Sequence, residues 1–122
     1  MTFTIQKDFA FSASHVLLGM PEGHQCGRLH GHNYVLRIAL AGDTLLPQGF
    51  LFDYGDLAPI KAMVDDVLDH RHLNDWMDAN PTAENLAYAI ARAAPTLLDL
   101  PPGVSVAVGV SETPKTWAWW TP

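Results

Sequence analysis

The stretch His30-Gly31-His32-Asn33-Tyr34-Val35-Leu36-Arg37-Ile38-Ala39-Leu40-Ala41 alternates with a period of two. Tyr34, Leu36, Ile38 and Leu40 take one face, and Asn33, Val35, Arg37 and Ala39 take the other. This is a β-strand, and its period aims the imidazoles of His30 and His32 at one face. Residues 3–12 alternate in the same way, with Phe3, Ile5, Phe9 and Phe11 set against Thr4, Gln6, Asp8 and Ser12. They supply a first strand for the second to pair with. Between the two lies a loop, Leu18 to Leu29, that holds Pro21, Gly23, His24 and Cys26. Loops carried on a rigid sheet are common homes for reactive groups.

Downstream, Leu57, Ile60, Val64, Val67 and Leu68 recur at helical steps, while Asp56, Lys61, Asp65 and Asp66 take the outer side. This predicts one amphipathic helix. Asn80-Pro81-Thr82-Ala83-Glu84 reads as a second helix start, capped by Asn or Thr, ahead of Leu86, Ala87, Ile90 and Ala94. Pro95 and Pro101-Pro102-Gly103 are expected to end it. Val104, Val106, Val108 and Val110 alternate with Ser105, Ala107, Gly109 and Ser111 as a third strand, and Thr116 to Trp120 can make a fourth. The order ββααββ predicts an α+β fold, a four-stranded antiparallel sheet with two helices on one face. The small residues on the other face of the third strand suit packing against neighbouring chains, so a homo-oligomer is expected.

At 122 residues, with no linker, repeat or low-complexity segment, the chain reads as a single domain over 1–122. Seven basic against thirteen acidic residues give a net charge of −6 without any Lys/Arg cluster, which argues against nucleic acid as a partner. The N-terminal residues contain no apolar run behind a basic segment and nothing approaches a membrane span, so a cytoplasmic protein with no membrane partner is expected. The one cysteine, Cys26, has no internal partner for a disulfide and reads as a reduced thiol.

His15 closes the first strand, where antiparallel pairing can bring it beside His30 and His32. Three neutral imidazoles leave a fourth position of a tetrahedral Zn²⁺ open, the pattern of a catalytic site; the alternative is three hydrogen-bonded or surface histidines. Cys26, four residues before His30, is open to three readings: a fourth ligand in a closed structural site, a thiolate base, or an inert buried thiol. Asp69-His70 ends the first helix, followed by a second histidine at His72, and forms either an acid/base dyad or a helix cap. Glu112, directly after the third strand, can accept two hydrogen bonds from a guanidine-like edge or be an ordinary acid. The same three histidines would also serve a zinc hydrolase or hydratase.

Five segments occur together and in order. They are Phe11-Ser12-Ala13-Ser14-His15, then Glu22 to Asn33 with its Cys26 and His30-Gly31-His32, then Leu68-Asp69-His70, Pro81-Thr82-Ala83-Glu84-Asn85-Leu86 and Ser111-Glu112-Thr113. Over nearly the whole chain they resemble the 6-pyruvoyl-/6-carboxy-tetrahydropterin synthases. The resemblance implies that His15, His30 and His32 bind zinc, that Cys26 abstracts a proton, that Asp69 and His70 form a relay, and that Glu112 anchors the pterin ring. It implies the tunnel fold, in which subunits close their sheets into a barrel, usually as a hexamer of two stacked trimers with sites between subunits. Three residues, Gly27-Arg28-Leu29, separate Cys26 from His30, a spacing similar to the 6-carboxy subgroup of queuosine synthesis; the 6-pyruvoyl enzymes usually have a longer insertion. The substrate implied is a pterin triphosphate, 7,8-dihydroneopterin triphosphate, with Arg28 and Lys115 as candidates for its phosphates. The aromatic end, Trp117-Ala118-Trp119-Trp120, departs from the family pattern.

Overall fold

In the computed structural model, which describes residues 2–122, strand β1 (Phe3–His15) and strand β2 (His30–Gly42) pair antiparallel along their full length. The ladder runs from Phe3 opposite Gly42 to His15 opposite His30. Its register puts Phe9 against Leu36 and Phe11 against Tyr34, so both apolar sets lie on one buried face. A slip of one residue would turn either set to solvent, which is why the pattern fixes the pairing.

The first helical segment is continuous but changes pitch, from a 3₁₀ turn at Tyr54–Leu57 through α1 (Ala58–Met63) into a π turn at Val64–Leu68. Of the expected apolar face, Leu57, Ile60, Val64 and Leu68 are fully buried, and Val67 is partly buried at its edge. The chain then forms a two-residue strand, β3 (Arg71–His72), and a single turn, α2 (Leu73–Trp76). Helix α3 (Ala83–Leu97) buries Leu86, Ala87, Ile90, Ala91 and Ala94. It runs through Pro95, contrary to the expected stop. A proline there lacks only the one N–H that would bond four residues back, and it sits in the last turn, where Leu98 N–H still reaches the Ala94 carbonyl at 2.9 Å. Thr82 is the cap, accepting from the Asn85 N–H at 3.1 Å. The Asn80 side chain is used elsewhere.

Strands β4 (Ser105–Ser111) and β5 (Ala118–Trp120) complete one open sheet in the order β3-β1-β2-β4-β5. It has five strands rather than the expected four, and β3 pairs parallel to β1 at Ala13 and Ser14. A two-residue strand carries no alternation, so the sequence gives no sign of it. The small face of β4 also needs correction. The Trp119 indole lies over Gly109, where a Cβ would come within 2.7 Å of the ring, so the chain itself fills part of the space assigned to a neighbour.

Leu36 lies at the centre of the buried face, between Phe9 on β1 and Val110 on β4. Leu36→Ala is expected to cost about 2–5 kcal/mol in urea unfolding, the range for a fully buried leucine. A loss under about 1 kcal/mol would show that the helices do not seal this face.

Candidate metal centre and the cavity beside it

The β1–β2 register that builds the core also assembles the histidines. His15 stands directly opposite His30, and His32 is opposite Ala13, one step further along the same face. Gly31 between them faces the other way, where a Cβ would lie 3.2 Å from the Ala13 carbonyl oxygen, so the close ladder favours glycine there. The ligand nitrogens of His15, His30 and His32 all lie within 4.8 Å of one another, a group that fits a metal ion. The rings meet edge to face, with centroids 4.4 to 5.2 Å apart.

The tautomers follow from the partners. His15 Nδ1 lies 2.7 Å from the Pro81 carbonyl oxygen, and His30 Nδ1 lies 2.7 Å from that of Arg28. A carbonyl only accepts, so both Nδ1 atoms donate and, in the neutral rings, both Nε2 atoms present bare lone pairs. Those two Nε2 atoms are 2.8 Å apart. Two bare lone pairs at that distance repel unless a proton or a metal ion lies between them. The donor set therefore suits a metal ion. Tyr34, stacked on Phe11 below the centre, has its hydroxyl 3.3 Å from His15 Nδ1, and burial, then the Glu112 charge, pushes its pKa far up.

Glu112 joins the site: its Oε2 is 3.7 Å from His32 Nε2. It lines a cavity of about 480 Å³, whose walls include Leu17, Thr82, Glu84, Trp117 and Trp119. Asp69 and His70 form a pair, with Asp69 Oδ2 3.0 Å from His70 Nδ1. The Ser12 backbone grips both: its N–H donates to Asp69 Oδ1 at 2.9 Å and its carbonyl accepts from the His70 N–H at 2.6 Å. That grip holds His70 at φ 58°, a left-handed conformation costly for a histidine. The Ser12 bond, then His70, lowers the pKa of Asp69 below the usual carboxylate range. This pair does not reach the Glu112 cavity. His70 lines a second one of about 410 Å³ together with Ser12, Ser14, Asn33 and the metal-site residue His32, and the two cavities share no residue.

Cys26 is half-buried in a 3₁₀ turn, Gln25–Gly27, whose start is capped by His24 Nδ1 accepting the Cys26 N–H at 3.1 Å. Cys26 is outside the three-histidine group. Two asparagines outside the sequence-derived site set hold the beginning of its loop. Asn74 bonds both the N–H and the carbonyl of Val16 (2.9 Å each), and Asn80 does the same for Leu18 (2.8 and 3.0 Å). A side-chain amide that meets backbone like a strand partner has no periodicity, and with about sixty residues between the partners nothing local signals it.

The fold and the centre together define a class: an α+β protein with a largely antiparallel sheet, three histidines that fit a metal site at one end of it and a cavity alongside. The chain belongs to the 6-pyruvoyl tetrahydropterin synthase family, whose model matches residues 4–122. Among its relatives, the 6-carboxy-5,6,7,8-tetrahydropterin synthase of Bacillus subtilis is 34% identical over 130 residues, covering 99% of this chain and 86% of that one. The dihydroneopterin monophosphate aldolase of Pyrococcus furiosus is 40% identical over 63 residues, 52% of this chain and 53% of that protein. The structure of Caenorhabditis elegans 6-pyruvoyl tetrahydropterin synthase superposes with a TM-score of 0.84 at 26% identity, covering 100% of this chain and 96% of that chain. The family is one of pterin-processing lyases, and among the described residues no helix is long and apolar enough to cross a membrane.

Burial is the main cause that holds the His15 pKa below its ordinary value, with the Pro81 carbonyl opposing it. A group whose pKa is lowered by folding adds stability above its unfolded value and loses it as pH falls through the folded one. The metal-free protein is therefore expected to hold full stability above the ordinary histidine value of 6.5 and to weaken below it. His15→Gln should flatten that slope. Urea midpoints at pH about 5 and about 7.5 check it, and equal slopes in both proteins would overturn it.

Proposed function

We propose that this chain converts 7,8-dihydroneopterin triphosphate and water to 6-carboxy-5,6,7,8-tetrahydropterin, acetaldehyde and triphosphate, in a zinc-dependent step of 7-deazapurine (queuosine) synthesis in the cytoplasm. The observation that carries this reading is the three-histidine group with Glu112 3.7 Å from His32, where Glu112 also lines a cavity of about 480 Å³, of suitable size for a bicyclic ring. The likeness to the Bacillus subtilis enzyme across 99% of the chain supports the carboxy product. The three residues between Cys26 and His30 support it too.

Bound by His15, His30 and His32, zinc would act as a Lewis acid that eases loss of a proton from the carbon beside an oxygen. Glu112 takes the 2-amino and N3 edge of the pterin in a paired hydrogen bond and so sets which side-chain carbon faces the histidines. Cys26 accepts the proton as thiolate. His70, its Nδ1 turned to the ionised Asp69, exchanges protons with the side-chain hydroxyls through its other nitrogen. Within one chain His70 and Glu112 line separate cavities, and His32 is in the wall of the first and 3.7 Å from Glu112. The reading includes a homo-oligomer, a hexamer of two trimers in a tunnel fold, with sites between subunits. Two open sheet edges, at β3 and β5, are available for such closure.

Mass-spectrometric identification of the products from 7,8-dihydroneopterin triphosphate tests the reaction. A 6-carboxy product with acetaldehyde supports it; a 6-pyruvoyl product, an aldolase product or no turnover overturns it. Cys26→Ala is expected to keep about one zinc per chain while turnover falls by about two to four orders of magnitude, the range for losing an acid–base group. Loss of zinc in that variant would instead indicate a thiolate ligand. Glu112→Gln turns one acceptor into a donor and should lower kcat/KM by about a hundredfold or more, with zinc content unchanged. Parent-like kinetics would remove Glu112 from the site.

A further inference from the structure

Four residues stand directly opposite one another across four neighbouring strands on the face away from the helices: Asp8, Arg37, Gly109 and Trp119. Arg37 grips Asp8 with two parallel bonds, Nε to Oδ1 at 2.7 Å and Nη2 to Oδ2 at 2.9 Å. Such a fork fixes the plane of the guanidinium as well as its place. The guanidinium carbon lies 4.4 Å from the centroid of the Trp117 ring, within cation–π range. Trp119 lies flat over Gly109, and Trp117 flanks it at 6.1 Å with the ring planes 24° apart. Trp117 is therefore held on two sides by groups that are themselves held. It is half-buried, and it lines the same cavity as Glu112.

A carboxylate alone selects poorly, because any amidine, guanidine or ammonium group can meet it. A fixed indole wall beside the carboxylate adds a preference for a flat, conjugated ligand, since aromatic contacts are worth more to a π-system than to a flexible chain. We propose that Trp117 is a specificity-determining wall of this cavity, which selects a planar bicyclic heteroaromatic ring held by Glu112. Arg37, locked by Asp8, acts through Trp117 as its positioning residue. The inference rests on the pterin reading of the cavity and adds to it a residue in the aromatic segment that departs from the family pattern.

The test compares the zinc-loaded parent with Trp117→Leu, Trp117→Phe, Arg37→Gln and the Trp117→Leu/Arg37→Gln double variant, each checked for zinc content and Tm. Two quantities are read: KM and kcat with 7,8-dihydroneopterin triphosphate, and the equilibrium Kd for neopterin. Trp117→Leu is expected to raise KM and Kd about tenfold while kcat stays within about threefold, the scale of one aromatic contact. Trp117→Phe should restore most of the affinity. Arg37→Gln should raise KM by a smaller factor, and the double variant should be no worse than Trp117→Leu alone, because Arg37 acts only through the indole. A parent that binds neopterin and a Trp117→Leu variant that binds it equally overturn the inference while leaving the pterin reading standing. A parent that neither binds neopterin nor turns over the triphosphate overturns the pterin reading, and this inference with it. If Trp117→Leu fails to fold, Arg37→Gln decides alone, and a KM equal to the parent's overturns the positioning role.

Discussion

The antiparallel ladder between β1 and β2 sets where everything else lies, since thirteen residues of each strand pair without a bulge. One register satisfies two demands. Along most of its length it puts Phe9, Phe11, Tyr34, Leu36 and Ile38 under the helices, where burying each side chain is worth roughly 1.5–3 kcal/mol. At its end, the same face carries His15, His30 and His32. The apolar part of the ladder is thus the scaffold that holds three imidazoles with their lone pairs converging. The repulsion between His15 and His30 is sustained by packing that lies elsewhere.

The neighbouring elements tie the centre down by backbone contacts. The carbonyl of Pro81, just before α3, accepts from His15, so the start of that helix sets a ring in the metal site. The carbonyl of Arg28 does the same for His30 from the cysteine loop. Asn74 and Asn80 then fasten the other end of that loop. Three segments far apart in the chain therefore meet around one site, and each contributes rigidity where a loosely held ligand would weaken binding. The strain at His70 belongs to the same economy of contacts: two bonds from Ser12 offset an unfavourable backbone conformation and leave the dyad facing outward.

The sheet has two chemically different faces. Helices cover one. The other carries the Asp8–Arg37 fork and the Trp119 indole over Gly109. A glycine in mid-strand ordinarily weakens a sheet, and here it is the space in which Trp119 lies. The end of the chain, short as β5 is, thereby lines the cavity that also holds Glu112.

The sequence by itself determined the two long strands, the buried faces of both main helical segments and the three-histidine group, because each follows from a period that side chains impose on regular backbone. His30-Gly31-His32 on a strand needs no tertiary information to share a face. It also carried Asp69–His70 as neighbours in the chain, which they remain. What it left undetermined depended on groups with no period. The parallel pairing of β3 is two residues long. Helix α3 passes Pro95 because the missing bond falls in its last turn, a cost that surrounding burial outweighs. Asn80 reads locally as a cap and serves instead as a partner for Leu18, since a side-chain amide takes whichever backbone the fold brings to it. Only the tertiary structure decided that Glu112 stands beside His32 and that His70 shares a separate cavity with His32. Proximity across a sheet depends on register and strand order, and those are properties of the whole chain.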